Sequence, residues 1–353
     1  MVKIKTMNIL ILGVGGPTPR SILKRLRTVY PNSRLIGTDI NPKALGFHMK
    51  GLIDEGYLIP RATANDYFNK ISEIIATEQI DFAFVQPEQE VLAWGKYFEE
   101  YKTYPCATLI PPKAHVEALM DKAAMADLLK GTLFIPDTLR ITPSNPRFEE
   151  VQKEIGYPCW IRASIGSGGL GSLMLNRKEE LEAWLFIHKT VPEFTISKYL
   201  TGRHLANQML YIGGQCVANA GLHCAEYVMA DIAPSKVTGN TSYGLLLNEK
   251  KLLEKCEEVM DFVQKATGVK ANGVYSFDFK EDDLGNLLVT EINIRHMAYT
   301  GILAECGFDL VSKTVEILQD KFKIPKQSKY YFDKEYVFLR DVDIEPIILD
   351  SPF

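Results

Sequence analysis

The sequence predicts an α/β unit with a parallel sheet at the N-terminus, followed by an α+β region of antiparallel sheets. Three stretches carry that reading. Asn8–Leu12, the glycine-rich turn Gly13-Val-Gly-Gly-Pro-Thr-Pro-Arg20, Ser21–Val29 and Leu35–Thr38 read in order as strand, turn, helix and strand, a βαβ opening. Tyr157–Arg162 and Ser172–Leu175 are strands joined by a loop with glycines at 166, 168, 169 and 171. Val274–Lys280 and Leu287–Ile294 flank an acidic Asp-Asp-Leu-Gly-Asn turn and form a hairpin.

Composition narrows the classes. At 353 residues the chain suits two or three domains, and 46% hydrophobic with 24% charged residues are ordinary globular values. A net charge of -4 gives no general attraction to nucleic acid or to an anionic membrane. The six cysteines form no CxxC pair and sit mostly in apolar segments, as buried thiols in a reducing cytosol do. No apolar run approaches the roughly 20 residues that span a bilayer. Lys3 and Lys5 before an apolar stretch imitate a signal peptide, but Gly-Gly-Pro and a basic helix follow. A buried first strand, with Met7 as the functional start, and a cytoplasmic location are expected.

Along the chain, Asp39 ends the second strand about where a ribose-binding acid of a nicotinamide enzyme would stand, yet Pro17 and Pro19 replace the third glycine of GxGxxG. Asp66–Thr77 reads as an amphipathic helix, Asp81–Val85 as a buried strand and Cys106–Ile110 as the last strand of the first unit. Gln86–Glu90 follows at a strand's carboxyl end, where open α/β sheets bind ligands. Glu88 or Glu90 there either meets a substrate amine or serves as a helix N-terminal acid. Val116–Leu129 is a helix carrying Met120-Asp-Lys122. Further on, Glu193–Leu200 is a strand, Arg203–Ile212 and Gln215–His223 are paired strands, and Asn248–Thr267 is a long amphipathic helix. The polar loop 233–242 holds Lys236 among hydroxyls, a lid over an anion. Gly301–Cys306 and Leu310–Leu318 are closing helices, and edge strands are expected in the tail.

Two stretches point to chemistry. Glu291, Asn293 and Arg295 alternate with Ile292 and Ile294, so strand periodicity puts the polar three on one face, with Asp278 across from them. Two carboxylates and an amide suit hard oxygen coordination of magnesium, leaving the arginine for an anion. In the glycine loop, backbone amides can approach phosphate oxygens because no Cβ atoms intervene. It is not a P-loop, since no Gly-Lys-Ser/Thr and no following helix are present.

Tyr157-Pro-Cys-Trp-Ile-Arg162 with its glycine loop, and Glu291-Ile-Asn293-Ile-Arg295 with the aspartate upstream, resemble the ATP-grasp superfamily. The branch is similar to the synthetase domains of the carbamoyl-phosphate synthase large chain and to carboxylate–amine ligases, over roughly Asn8 to Leu318. The resemblance implies a Rossmann-like pre-ATP-grasp domain over 1–114 and a two-lobed ATP-grasp domain. Its N-terminal lobe, with the glycine-rich lid, would cover 115–192 and its C-terminal lobe, with the metal site, 193–322, leaving 323–353 as a tail.

It implies that Lys122 and Arg162 meet nucleotide phosphates, that Ser167, Gly168 and Gly169 close over them, and that Lys198, Tyr199 and Leu200 form the hinge at adenine. It implies Asp278, Glu291 and Asn293 as ligands of magnesium, with manganese as an alternative. Arg295 would steady the transferred phosphoryl group, joined by Lys236 from the second lid. Gly15, Gly16, Glu90 and His296 are candidate substrate contacts; for His296 a packed core role competes. Two features depart from the pattern: the hinge acid is Lys198, and the ribose acid aligns with Leu205.

The reaction implied is ATP-driven ligation of a small, amino-acid-like carboxylate to an amine through an acyl-phosphate, by a cytoplasmic protein acting without nucleic acid or membrane, as a homodimer. A kinase or carbamate-phosphorylating enzyme and a non-catalytic nucleotide-binding protein are the alternatives, with a nicotinamide oxidoreductase as the reading from a different class.

Overall fold

In a computed structural model, residues 6–166, 169, 171–319, 328–341 and 347–349 are described. The first sheet contains β1 (Asn8–Leu12), β2 (Arg34–Asp39), β3 (Glu55–Leu58), β4 (Phe82–Phe84) and β5 (Ala107–Thr108), in the order β3-β2-β1-β4-β5. All its pairs are parallel, as the βαβ opening requires. The first helix begins at Pro17 instead of Ser21, because prolines fit a first turn, whose N–H groups have no intrahelical acceptor. Edge strand β3 gave no sequence signal: it is short, contains a glycine and exposes Leu58.

The expected single helix over 116–129 is two helices, Lys113–Leu119 and Lys122–Leu128. Asp121 interrupts it by capping the second: its Oδ1 accepts from the backbone N–H of Ala123 at 2.7 Å and of Ala124 at 3.3 Å. The break turns Lys122 inward, where it is buried.

The second sheet is antiparallel and contains β6 (Thr138–Ile141), β7 (Cys159–Ala163), β8 (Leu173–Leu175) and β9 (Phe194–Lys198), in the order β6-β9-β7-β8. Ile141, Ile161, Leu175, Phe194 and Ile196 pack there with Leu181 and Leu185 of the helix Lys178–Ile187.

The third sheet, also antiparallel, contains β10 (His204–Ile212), β11 (Gln215–Tyr227), β12 (Thr241–Leu247), β13 (Gly273–Glu281), β14 (Leu287–Asn293), β15 (Val337–Leu339) and β16 (Ile347–Leu349). Its order is β14-β13-β10-β11-β12-β15-β16, so the described tail strands do form an edge. The amphipathic helix Lys250–Thr267 buries Leu252, Cys256, Val259, Met260 and Val263 against it.

The closing helices Thr300–Glu305 and Leu310–Gln319 return to the first unit. Val311 and Val315 complete the core around Ile9, Ile22 and Leu26, Arg25 pairs with Asp309 at 2.8 Å, and Ser21 Oγ accepts from the N–H of Gly301 at 2.9 Å. No described helix is long and apolar enough to cross a membrane.

Candidate active site

A cleft of about 1140 Å³ lies between the two antiparallel sheets. Its floor is the hairpin β13–β14. Asp278 stands opposite Glu291 and Ser276 opposite Asn293, while Phe277, Phe279, Ile292 and Ile294 go into the core on the other face. The alternation expected from the sequence is therefore present, with a register shift just after Asp278. Asn293 Nδ2 donates to Asp278 Oδ2 at 3.3 Å, and His204 Nε2 of β10 lies 3.2 Å from Asp278 Oδ1.

The cations come from the opposite side. Lys122 Nζ is 3.2 Å from Glu291 Oε1 and donates to Gly166 O at 2.8 Å. A guanidinium N–H of Arg162, on β7, donates to Thr290 O at 2.5 Å. Burial pushes the Arg162 pKa down, and Glu291 and Asp278 counter this. A partly desolvated guanidinium with only a carbonyl to bond has N–H groups ready to donate to phosphate oxygens.

Gly169 has φ +74, and a Cβ there would stand 2.2 Å from Val237 O, so the glycine loop and the loop carrying Lys236 touch. Lys236 lines the cleft, with its Nζ donating to Asp231 O at 2.9 Å. Ser167 and Gly168 lie outside the described residues. Lys198, Tyr199 and Leu200 line the cleft as a group, whereas Leu205 is wholly buried in the core and contributes nothing to it.

Arg295 also lines the cleft, its Nε 3.2 Å from Glu88 Oε1. Glu88 is therefore the acid that reaches the cleft wall. Gly15, Gly16, Glu90 and His296 are not in the lining. Asp39 Oδ2 accepts from the N–H of Gly15 at 2.8 Å, so this acid fastens the glycine turn. His296 is buried, and desolvation lowers its pKa to about 3, which keeps the ring neutral.

Glu90 is 6% exposed, and Tyr67 OH donates to its Oε2 at 2.5 Å. Burial, reinforced by Asp39, raises its pKa to about 7 against the hydrogen bond from Tyr67. A raised carboxyl pKa means that the folded state binds the proton more tightly. Stability is then highest below the unfolded value near 4.5 and is lost as pH rises towards 7, by on the order of 3 kcal/mol. We expect Glu90→Gln to flatten this dependence and to exceed the parent in stability at pH 8, as measured by urea unfolding at pH 5 and 8. Equal pH slopes for the two proteins would refute the assignment.

Sequence reasoning missed three groups. Tyr299 lines the cleft, with a buried hydroxyl that has no hydrogen-bond partner. Arg340, just after β15, lies outside the lining but near Tyr299, and burial, then Arg20, push its pKa down. Arg340 arises from a chain return invisible to local patterns. Lys280, by contrast, lies two residues beyond Asp278 and so on the same strand face, a signal that periodicity did offer.

The donor set fits magnesium. Among the described residues no three His, Cys, Asp or Glu side chains form a closed cage. Two carboxylates and an amide oxygen on one face leave coordination positions for phosphate oxygens, the usual arrangement for this hard ion.

A parallel-sheet unit followed by two antiparallel sheets enclosing such a cleft defines an ATP-grasp protein. The chain belongs to the family described as carbamoyl-phosphate synthase L chain, ATP binding domain, whose model matches residues 134–321, more than half of it. It is 28% identical over 271 residues to the 2-oxoglutarate carboxylase small subunit of Hydrogenobacter thermophilus. That match covers 70% of this chain and 53% of the relative, so the chain spans about half of that protein's length.

Among solved structures it superposes on N5-carboxyaminoimidazole synthetase from Staphylococcus aureus, complexed with ADP, with a TM-score of 0.70 at 13% identity, covering 96% of this chain and 83% of that one. It superposes on L-amino acid ligase from Bacillus licheniformis with a TM-score of 0.67 at 12% identity, covering 95% and 80%. At such identities the likeness concerns the fold.

Proposed function

We propose that the protein is an ATP-dependent ligase that joins a small, amino-acid-like carboxylate to an amine through an acyl-phosphate. The observation that carries this reading is the facing of Asp278 and Glu291, on one wall, by Lys122 and Arg162 from the other. Acids on one side and bases on the other suit a metal-bound polyphosphate. Magnesium, or manganese in its place, would be held by Asp278, Glu291 and Asn293, and when bound it neutralises phosphate oxygens as charge develops.

Lys122 and Arg162 hold the phosphates, and Arg295 steadies the transferred phosphoryl group. A substrate carboxylate oxygen attacks the γ-phosphorus, the bond to the β-phosphate oxygen breaks, and ADP leaves. The amine then attacks the acyl carbon, loses a proton, and inorganic phosphate departs as the amide forms. The loops at 166–171 and 233–242 exclude water from this labile intermediate. Arg295 and the Tyr299 hydroxyl, with the charge of Arg340 near Tyr299, give the far end of the cleft a character suited to an anionic substrate. The fold likeness to an L-amino acid ligase agrees with amino-acid-like substrates.

Family membership favours a second reading, in which the phosphorylated group is a carbamate or a related small carboxylate and no amide forms. Phosphate release from magnesium-ATP, screened over carboxylates with and without amines, separates the two. Release that needs both partners is expected, and release without any amine would overturn the amide-forming reading. Failure to bind magnesium-ATP would sink both.

A further inference from the structure

The cations of the cleft are mostly spoken for. Lys122 has Glu291, Arg295 has Glu88, Lys236 has Asp231, and Arg203 has both Glu249 and Glu281. Among the described cleft residues, half-buried Arg162 and Lys280 have no acid in contact. Arg162 belongs with the polyphosphate. Lys280 Nζ donates to Gly202 O at 3.0 Å. A half-buried ammonium with one carbonyl has donors to spare.

Its position says what could use them. Ser276, Asp278 and Lys280 follow one another on the cleft face of β13, in steps of about 7 Å. At one end Ser276 Oγ donates to Arg295 O at 2.9 Å, and at the other Lys280 touches Gly202, beside the hinge. A nucleotide with phosphates over Asp278 and Glu291 and its base at Lys198–Leu200 lays its sugar over Lys280. On β10 the residue opposite Lys280 is His204, already engaged with Asp278, and the next, Leu205, faces the core.

We propose that Lys280 reads the sugar of the bound nucleotide, donating an N–H to ribose oxygens, and that through it the cleft distinguishes a ribonucleoside polyphosphate from bare polyphosphate. This rests on the ATP-cleft reading above. It replaces recognition of ribose by a carboxylate acceptor with recognition by a donor.

Calorimetric titration of the full chain with magnesium-ADP and with magnesium pyrophosphate tests it. Lys280→Met should weaken magnesium-ADP about tenfold or more, the worth of a hydrogen bond from a charged donor, and leave pyrophosphate unchanged. Intact pyrophosphate binding also shows that the variant is folded. Lys280→Arg, which keeps a donor, should recover part of the loss. Magnesium-ADP binding unchanged in Lys280→Met would overturn the proposal, as would an equal loss of pyrophosphate, which would place the effect at Asp278. If the parent protein binds neither ligand, the ATP-cleft reading itself fails.

Discussion

Glu291→Gln should lower magnesium-ATP turnover on the order of a thousandfold, the scale seen when a preorganised charge at a reacting centre is removed. The substitution keeps shape and one acceptor oxygen, so Lys122 retains partners in the amide oxygen and in Gly166 O. What disappears is the negative charge facing Asp278 across the hairpin. Melting should therefore change little while phosphate release collapses, and steady-state kinetics beside thermal unfolding separates the two. Turnover near the parent level would remove Glu291 from the reaction and with it the metal assignment.

Gly273→Ala should cost about 3–5 kcal/mol, enough to exhaust much of a typical domain's stability. Two costs add. At φ +84 any Cβ is strained, by about 1–2 kcal/mol. That Cβ would also lie 2.6 Å from the carbonyl carbon of Ile110 and 2.7 Å from Pro111 N, backbone atoms that cannot swing aside. Gly285→Ala is the matched control: its φ is +75, but nothing lies within 4 Å of the added atom. Urea unfolding should show Gly285→Ala losing only the dihedral share, and equal losses in both variants would refute the packing argument.

Why some of this was legible in the sequence and some was not follows from the range of each signal. The metal face was readable because strand period two is local: Glu291, Asn293 and Arg295 must share a side wherever the strand lies. The helix break at Asp121 was not, because helix propensity and capping compete there and the cap won. Glu88 and Glu90 stand two apart at a helix start, and only the packed helix shows that one meets Arg295 while the other is buried beneath Tyr67. Arg340 comes near Tyr299 only through the late return of the chain into β15, which no window of neighbouring residues contains. Leu205 departs from the family pattern, and its burial explains this: that position faces the core.

The return of the helix Leu310–Gln319 to the first sheet has a bearing on biosynthesis. The apolar nucleus around Ile9, Ile22 and Leu26 is translated before the cleft residues Lys122 to Tyr299, yet Val311 and Val315, which close it, are translated after them. During elongation that surface stays uncovered while the second sheet and strands β10–β14 of the third are made. A nascent chain in this state exposes aggregation-prone area that only late synthesis removes. A core begun before the cleft is thus finished only after it.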